Sequence, residues 1–160
     1  MASGDLERRI GKRDPFSARE EAALLGLLRT SDRVQVLFTR LFREHGLTPA
    51  QYNVLRILRG EGRPTPILEV ADRMLTATPG ITGLIDRLEK LELVRRERCE
   101  TDRRMIFVAI TPRAVELVGR LDEPIRELHR RLLARLGRDE IQTLIRLLDA
   151  IREPIEGSAD

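Results

Sequence analysis

Cysteine is nearly absent from this 160-residue chain: it has one, Cys99, so no internal disulfide can form. Histidine is almost as scarce, and His45 and His129 lie too far apart to form a zinc spacing. The chain therefore reads as an intracellular protein, with no metal and no cofactor expected. Tryptophan is missing and aromatic residues make up 3% of the total, which argues for aliphatic helix packing over an aromatic-rich β-sandwich. No apolar run approaches the roughly 20 residues that span a bilayer. Met1 to Pro15 is charged and lacks the apolar core of a secretory signal. A cytoplasmic location without membrane contact is the expectation. Lysine is limited to Lys12 and Lys90, so the other 27 of the 29 basic residues are arginine. Against 26 acids the net charge is only +3. An anionic partner must be argued from the placement of those arginines, not from their number.

Also missing are the parts of an enzyme: a nucleophile with its base, paired carboxylates in a cleft, a metal set, or a glycine-rich phosphate loop. Gly80 and Gly83 follow a Thr-Pro pair but have no companion glycine or Lys-Ser/Thr. The chain reads as a non-enzyme.

What is present is a hydrophobic content of 41%, enough for the core of one domain of ordinary size. Four of the eight prolines directly follow threonine, at Thr48-Pro49, Thr65-Pro66, Thr78-Pro79 and Thr111-Pro112. Thr at the N-cap accepts a backbone N–H bond, and Pro at the next position loses nothing by lacking one, so each pair predicts a helix start. Gln51 completes a capping box with Thr48, and Leu47 with Tyr52 occupies the positions of a hydrophobic staple.

Ser17 with Glu20 predicts an earlier capping box, opening a long amphipathic helix with Leu24, Leu27, Leu28, Val34, Leu37, Phe38, Leu41 and Phe42 and ending at Gly46. Further helices are expected from Pro49 to about Arg59, Pro66 to about Met74, and Pro79 to about Leu91, the last burying Ile81, Leu84, Ile85, Leu88 and Leu91. Val94–Cys99 and Met105–Thr111 are β-permissive and joined by a charged turn, which predicts a hairpin. A long helix then runs from Pro112 to Leu136 with Pro124 inside it, a site for a kink, and a final helix covers about Asp139 to Arg152. The fold class is mainly α with a small β-hairpin.

Two short helices about four residues apart have the layout of a helix-turn-helix, and the hairpin behind them has that of a wing. The polar face of the second helix presents Pro79, Thr82, Gly83, Asp86, Arg87 and Lys90, shaped to enter a groove. The hairpin carries Arg95, Arg96, Arg98, Arg103 and Arg104 against Glu97, Glu100 and Asp102. An arginine at a protruding turn can enter a narrow minor groove, and Asp102 can hold Arg104 across the turn.

From about Leu47 to Thr111, and with fitting long helices on either side, the sequence resembles the MarR (multiple antibiotic resistance regulator) family of winged helix-turn-helix transcriptional regulators. The resemblance rests on Ala71-Asp72-Arg73-Met74, on Ile81 to Glu89, on Leu93-Val94-Arg95-Arg96, and on Asp102-Arg103-Arg104 leading into Val108 to Pro112. It implies a homodimer on a palindromic double-stranded DNA operator. In that organisation residues 1–16 are a tail, 17–46 a dimerisation helix, 47–111 the DNA-binding lobe and 112–160 the C-terminal dimerisation helices. The apolar residues Leu128, Leu132, Leu136, Leu144, Ile145, Leu148 and Ile151 independently exceed what a terminal hairpin could bury alone.

Carried over by position, the DNA-binding residues are Thr76, Thr78, Pro79, Thr82, Gly83, Arg87, Arg98, Asp102, Arg103 and Arg104. Family members commonly bind small aromatic acids, which points to Phe42, His45, Tyr52 and Arg56 as ligand-binding candidates. The expected function is a repressor of its own or neighbouring genes, relieved by such a ligand. A redox-responsive regulator acting through Cys99, an architectural DNA-binding protein and a purely helical interaction module are the alternatives. The chain departs from the family pattern at Gly83, where a longer polar residue is common, and at Ala114, a usual glycine. It also departs at Glu92, where a helix-ending glycine is usual and a somewhat strained or differently capped turn is therefore expected.

Overall fold

The computed structural model describes Gly11, Phe16 and residues 18–76, 80–98 and 106–157. Within these the order is α1 (Arg19–Arg43), α2 (Pro49–Glu61), β1 (Thr65–Pro66), α3 (Ile67–Asp72), α4 (Ile81–Lys90), β2 (Val94–Arg98), β3 (Ile106–Ile110), α5 (Pro112–Leu133) and α6 (Arg138–Glu156). The expected class holds: a mostly helical chain with one small antiparallel sheet.

Of the four Thr-Pro pairs, two act as helix starts in the way the sequence implies. Thr48 Oγ1 accepts from the Gln51 N–H at 3.2 Å while Gln51 Oε1 accepts from the Thr48 N–H at 2.8 Å, closing the capping box ahead of α2. Thr111 Oγ1 accepts from the Ala114 N–H at 3.2 Å at the start of α5. Thr65-Pro66 is a correction. It forms β1, pairing antiparallel with β3 through Thr65 opposite Val108, and Pro66 is the N-cap of α3 without a side-chain bond. Thr65 is fully buried, its hydroxyl donating to the Arg63 carbonyl at 3.1 Å. The fourth pair lies outside the described residues, but α4 starts later than expected, at Ile81, with Gly80 as N-cap at φ 77°. A residue in the left-handed region cannot belong to the helix itself.

Other boundaries also move. The N-cap of α1 is Ala18, without a side-chain bond, not Ser17, which is outside the described residues. The helix ends at Arg43, and Gly46 at φ 73° closes it: the Leu47 N–H reaches the Phe42 carbonyl and the Gly46 N–H reaches that of Arg43, both at 3.0 Å. Leu136 falls outside α5, whereas α6 continues past Arg152 with Pro154 inside its last turn.

The chain divides into two compact units, residues 1–118 and 119–160. In the first, the sheet has the order β1-β3-β2, with Val94 opposite Ile110 and Arg98 opposite Ile106. Its core gathers Val54, Leu55 and Leu58 of α2, Val70 of α3, Ile85 and Leu88 of α4, and Val108 of β3, all at 0% exposure. Each such side chain contributes about 1.5–3 kcal/mol when buried, which fixes the short helices against the sheet. Leu91, expected in the buried stripe of α4, is instead 44% exposed at its C-cap.

The second unit holds the rest of α5 and all of α6. Leu121 and Leu128 are buried, but no residue of α6 is. On the outer surface of α5, Glu123 accepts from Arg126 and Arg130, and the Arg130 hydrogen bond chiefly holds its carboxyl below the usual carboxylate range.

Candidate nucleic-acid interface

The helix-turn-helix is α3 and α4, and β2 with β3 forms the wing behind it. With Leu84, Ile85 and Leu88 buried, the opposite side of α4 is open: Thr82, Arg87 and Lys90 are exposed and Gly83 partly so. Among the described residues no carboxylate pairs with Arg87, so its guanidinium is available to a phosphate. Gly83 has open space where a Cβ would stand, so nothing in the fold requires a glycine there.

Two turns set the pose of α4. At its start Gly80 takes the left-handed conformation, and its carbonyl accepts from the Leu84 N–H at 3.2 Å. At its end Glu92 takes φ 57°, the one non-glycine with positive φ among the described residues. The Leu93 N–H bonds to the Leu88 carbonyl and the Glu92 N–H to that of Glu89, both at 2.9 Å. This is the same pair of closing bonds that Gly46 makes after α1, and Glu92 makes it against the left-handed penalty of a side chain. Of the two outcomes expected at this departure from the family pattern, the cap is unchanged and the backbone takes the left-handed conformation. Thr111 steadies the turn: its hydroxyl donates to the Glu92 carbonyl at 2.9 Å, its N–H bonds to the Leu93 carbonyl at 3.1 Å, and Arg113 pairs with the Glu92 carboxylate.

The wing arginines divide by strand face. Arg95 points outward and pairs with Glu97 at 2.7 Å. Arg96 lies on the other face beside buried Val94 and reaches α4: its guanidinium meets Asp86 at 2.5 Å, Glu89 at 2.8 Å and the Thr82 carbonyl at 3.4 Å. Sequence reasoning counted Arg96 with the wing cluster and Asp86 with the groove face, and missed that they join. The signal was an arginine at an inward strand position, with acids at a spacing of three on the preceding helix.

Among the remaining DNA-binding candidates, Thr76 is exposed just after α3, and only the backbone of Arg98 is described. Thr78, Pro79, Asp102, Arg103 and Arg104 lie outside the described residues, as does Cys99.

The ligand candidates gather only in part. Phe42 is buried and stacks on Tyr52 with ring centroids 4.3 Å apart. His45 Nδ1 lies 3.1 Å from the Leu41 carbonyl. Arg56 is exposed and donates twice to Oδ1 of buried Asn53, at 2.8 and 3.2 Å. An open hollow of about 290 Å³ lies along α1 between Asp32 and Arg43, and another of about 350 Å³ along the start of α6. Neither is lined by those four residues.

No described helix is long and apolar enough to cross a membrane. Residues 45–105 match the sequence profile of the MarR family. A MarR transcription factor of known structure from Planctomyces limnophilus is 39% identical, covers 84% of this chain and 98% of its own, and superposes with a TM-score of 0.65. The homoprotocatechuate degradative operon repressor of Escherichia coli is 26% identical over 81% of this chain and 86% of its own. BpsR of Bordetella bronchiseptica, described as regulated in its DNA binding by 6-hydroxynicotinic acid, is 25% identical over 79% of this chain and 95% of its own, with a TM-score of 0.70. Another curated relative is 37% identical, but the alignment spans only 52% of its length. Matched over residues 45–105 by the family profile and along most of its length by a solved member, the chain belongs to the MarR family of transcriptional regulators.

Proposed function

We propose that the protein is a homodimeric, sequence-specific repressor that reads a palindromic operator and is released by a small aromatic acid. The observation that carries the reading is the open face of α4, with Thr82 and Arg87 exposed, followed directly by a hairpin whose loop sequence holds Arg103 and Arg104. In this account α4 enters the major groove, where Thr82 meets a thymine methyl and Arg87 a phosphate, and the hairpin tip reaches the minor groove. With glycines at 80 and 83, base contacts are few and DNA shape carries more of the specificity.

Dimerisation is supported by apolar surface that the single chain leaves open. All of α6 is without a buried residue, and Leu24, Leu28, Leu132, Ile145 and Ile151 are exposed on long helices. The proposed organisation is a dimerisation helix at 17–46, a DNA-binding lobe at 47–111 and dimerisation helices at 112–160.

Arg104→Ala tests the wing. Operator affinity should fall, the slope of log affinity against log salt should flatten by about one per wing, and sedimentation should still return a dimer. Unchanged affinity would remove the wing from the mechanism. The repressor reading and the ligand draw support from the names of the E. coli and Bordetella relatives. Phe42, His45, Tyr52 and Arg56 are the proposed ligand residues. A thermal-shift screen with aromatic carboxylates should raise the melting temperature, and Arg56→Ala should abolish that rise; no shift with any of them would refute the ligand.

A further inference from the structure

Arg96 occupies an unusual place for a guanidinium. Strand alternation puts it on the inner face of β2, next to Val94 and opposite Val108, positions that are 2% and 0% exposed. Its Nε is buried without a partner. An inward arginine is costly unless its charge and donors are taken up. Here they are taken up almost wholly by the recognition helix: Asp86 Oδ1 at 2.5 Å, Glu89 Oε2 at 2.8 Å and the Thr82 carbonyl at 3.4 Å, three positions along one edge of α4. The Arg96 backbone N–H also donates to Glu89 Oε1 at 3.2 Å, so one carboxylate holds both the main chain and the side chain of the strand. The fork fixes the strand in two directions, along the helix and toward it, which a single-point contact would not do.

We propose that Arg96 is a positioning residue for operator reading: it locks the wing to the recognition helix and neutralises Asp86 and Glu89, without itself touching DNA. The proposal rests on the DNA-binding reading above. Two carboxylates on the helix that enters the groove would repel phosphate, and Arg96 supplies the compensating charge from behind. It also makes the wing and α4 one rigid reading head, so that the major-groove and minor-groove contacts are made in a fixed relation.

The test uses the full-length protein with Arg96→Met, which keeps an apolar stem and removes the fork, and Asp86→Asn, which removes one of its anchors at a surface position. Affinity for the operator and for random DNA is measured by fluorescence anisotropy across a salt series, and backbone hydrogen exchange is followed without DNA. For Arg96→Met, the operator-to-random ratio should fall about tenfold, and operator affinity by more than that, because the uncompensated Asp86 and Glu89 also weaken binding to random DNA. Asp86→Asn should lower the ratio in the same direction, although loss of a negative charge facing DNA would by itself tighten binding. In both variants exchange should quicken in β2 and stay unchanged in α2. A flatter salt slope with the ratio kept would make Arg96 a phosphate contact and overturn the proposal. So would tighter binding by Asp86→Asn with the ratio kept, or unchanged exchange in β2. If Arg96→Met does not fold, Asp86→Asn alone decides. Failure of the wild-type protein to prefer any sequence would instead overturn the DNA reading, and the exchange measurement would still test the lock.

Discussion

Two glycines three residues apart do opposite things. Gly80 sits at φ 77°, where a Cβ is strained whatever the surrounding space, whereas Gly83 lies in helical backbone with open space around it. Gly80→Ala should destabilise the protein by about 1–2 kcal/mol, and Gly83→Ala should stabilise it by up to about 1 kcal/mol. Urea denaturation at fixed protein concentration checks both; a gain from Gly80→Ala would contradict the left-handed N-cap. If backbone at 83 approaches DNA closely, the more stable Gly83→Ala variant binds its operator less well. Sequence alone flagged both glycines but could not separate them. The difference lies in backbone conformation, which the Thr78-Pro79 signal pointed to wrongly by placing the helix start before Gly80.

Capping signals are local, and the elements show where local reasoning holds and where it fails. Thr48 and Gln51 lie three residues apart and satisfy one another, so the start of α2 was legible, although the helix runs past the expected Arg59 to Glu61. Thr65-Pro66 carries a similar start signal, yet it becomes a strand because β3, some 40 residues later, offers it a partner. No local pattern contains that partner. Likewise α6 runs through Pro154, although the missing N–H costs the helix one backbone hydrogen bond near its end. The turn after α4 was readable because Glu92 stood out against a family glycine. Glu92→Gly should relieve the left-handed strain and stabilise the lobe by about 1 kcal/mol, offset in part by loss of the exposed Arg113 pair, which is worth little. A melting temperature no higher than that of the wild type would show that Arg113 and Thr111 already compensate the strain.

At the scale of the molecule the initial charge count looked too small for a nucleic-acid partner, and placement resolves it. Arg95 and Arg96 are consumed within the wing and its junction with α4, Arg73 is bound to Glu61 and Glu69, and Arg126 and Arg130 serve α5. Among the described residues, what α4 leaves exposed and cationic is Arg87 and Lys90. Of the apolar residues expected to exceed what one chain buries, Leu128 of α5 is buried after all, whereas no residue of α6 is. Two copies related by a two-fold axis would cover it, and would set their recognition helices about one turn of DNA apart. A hydroxyl-radical footprint on the DNA flanking the protein's own gene tests this most directly. The account predicts two protected half-sites of a palindrome about one helical turn apart, with minor-groove protection at their outer edges. Uniform weak protection at every sequence would contradict it.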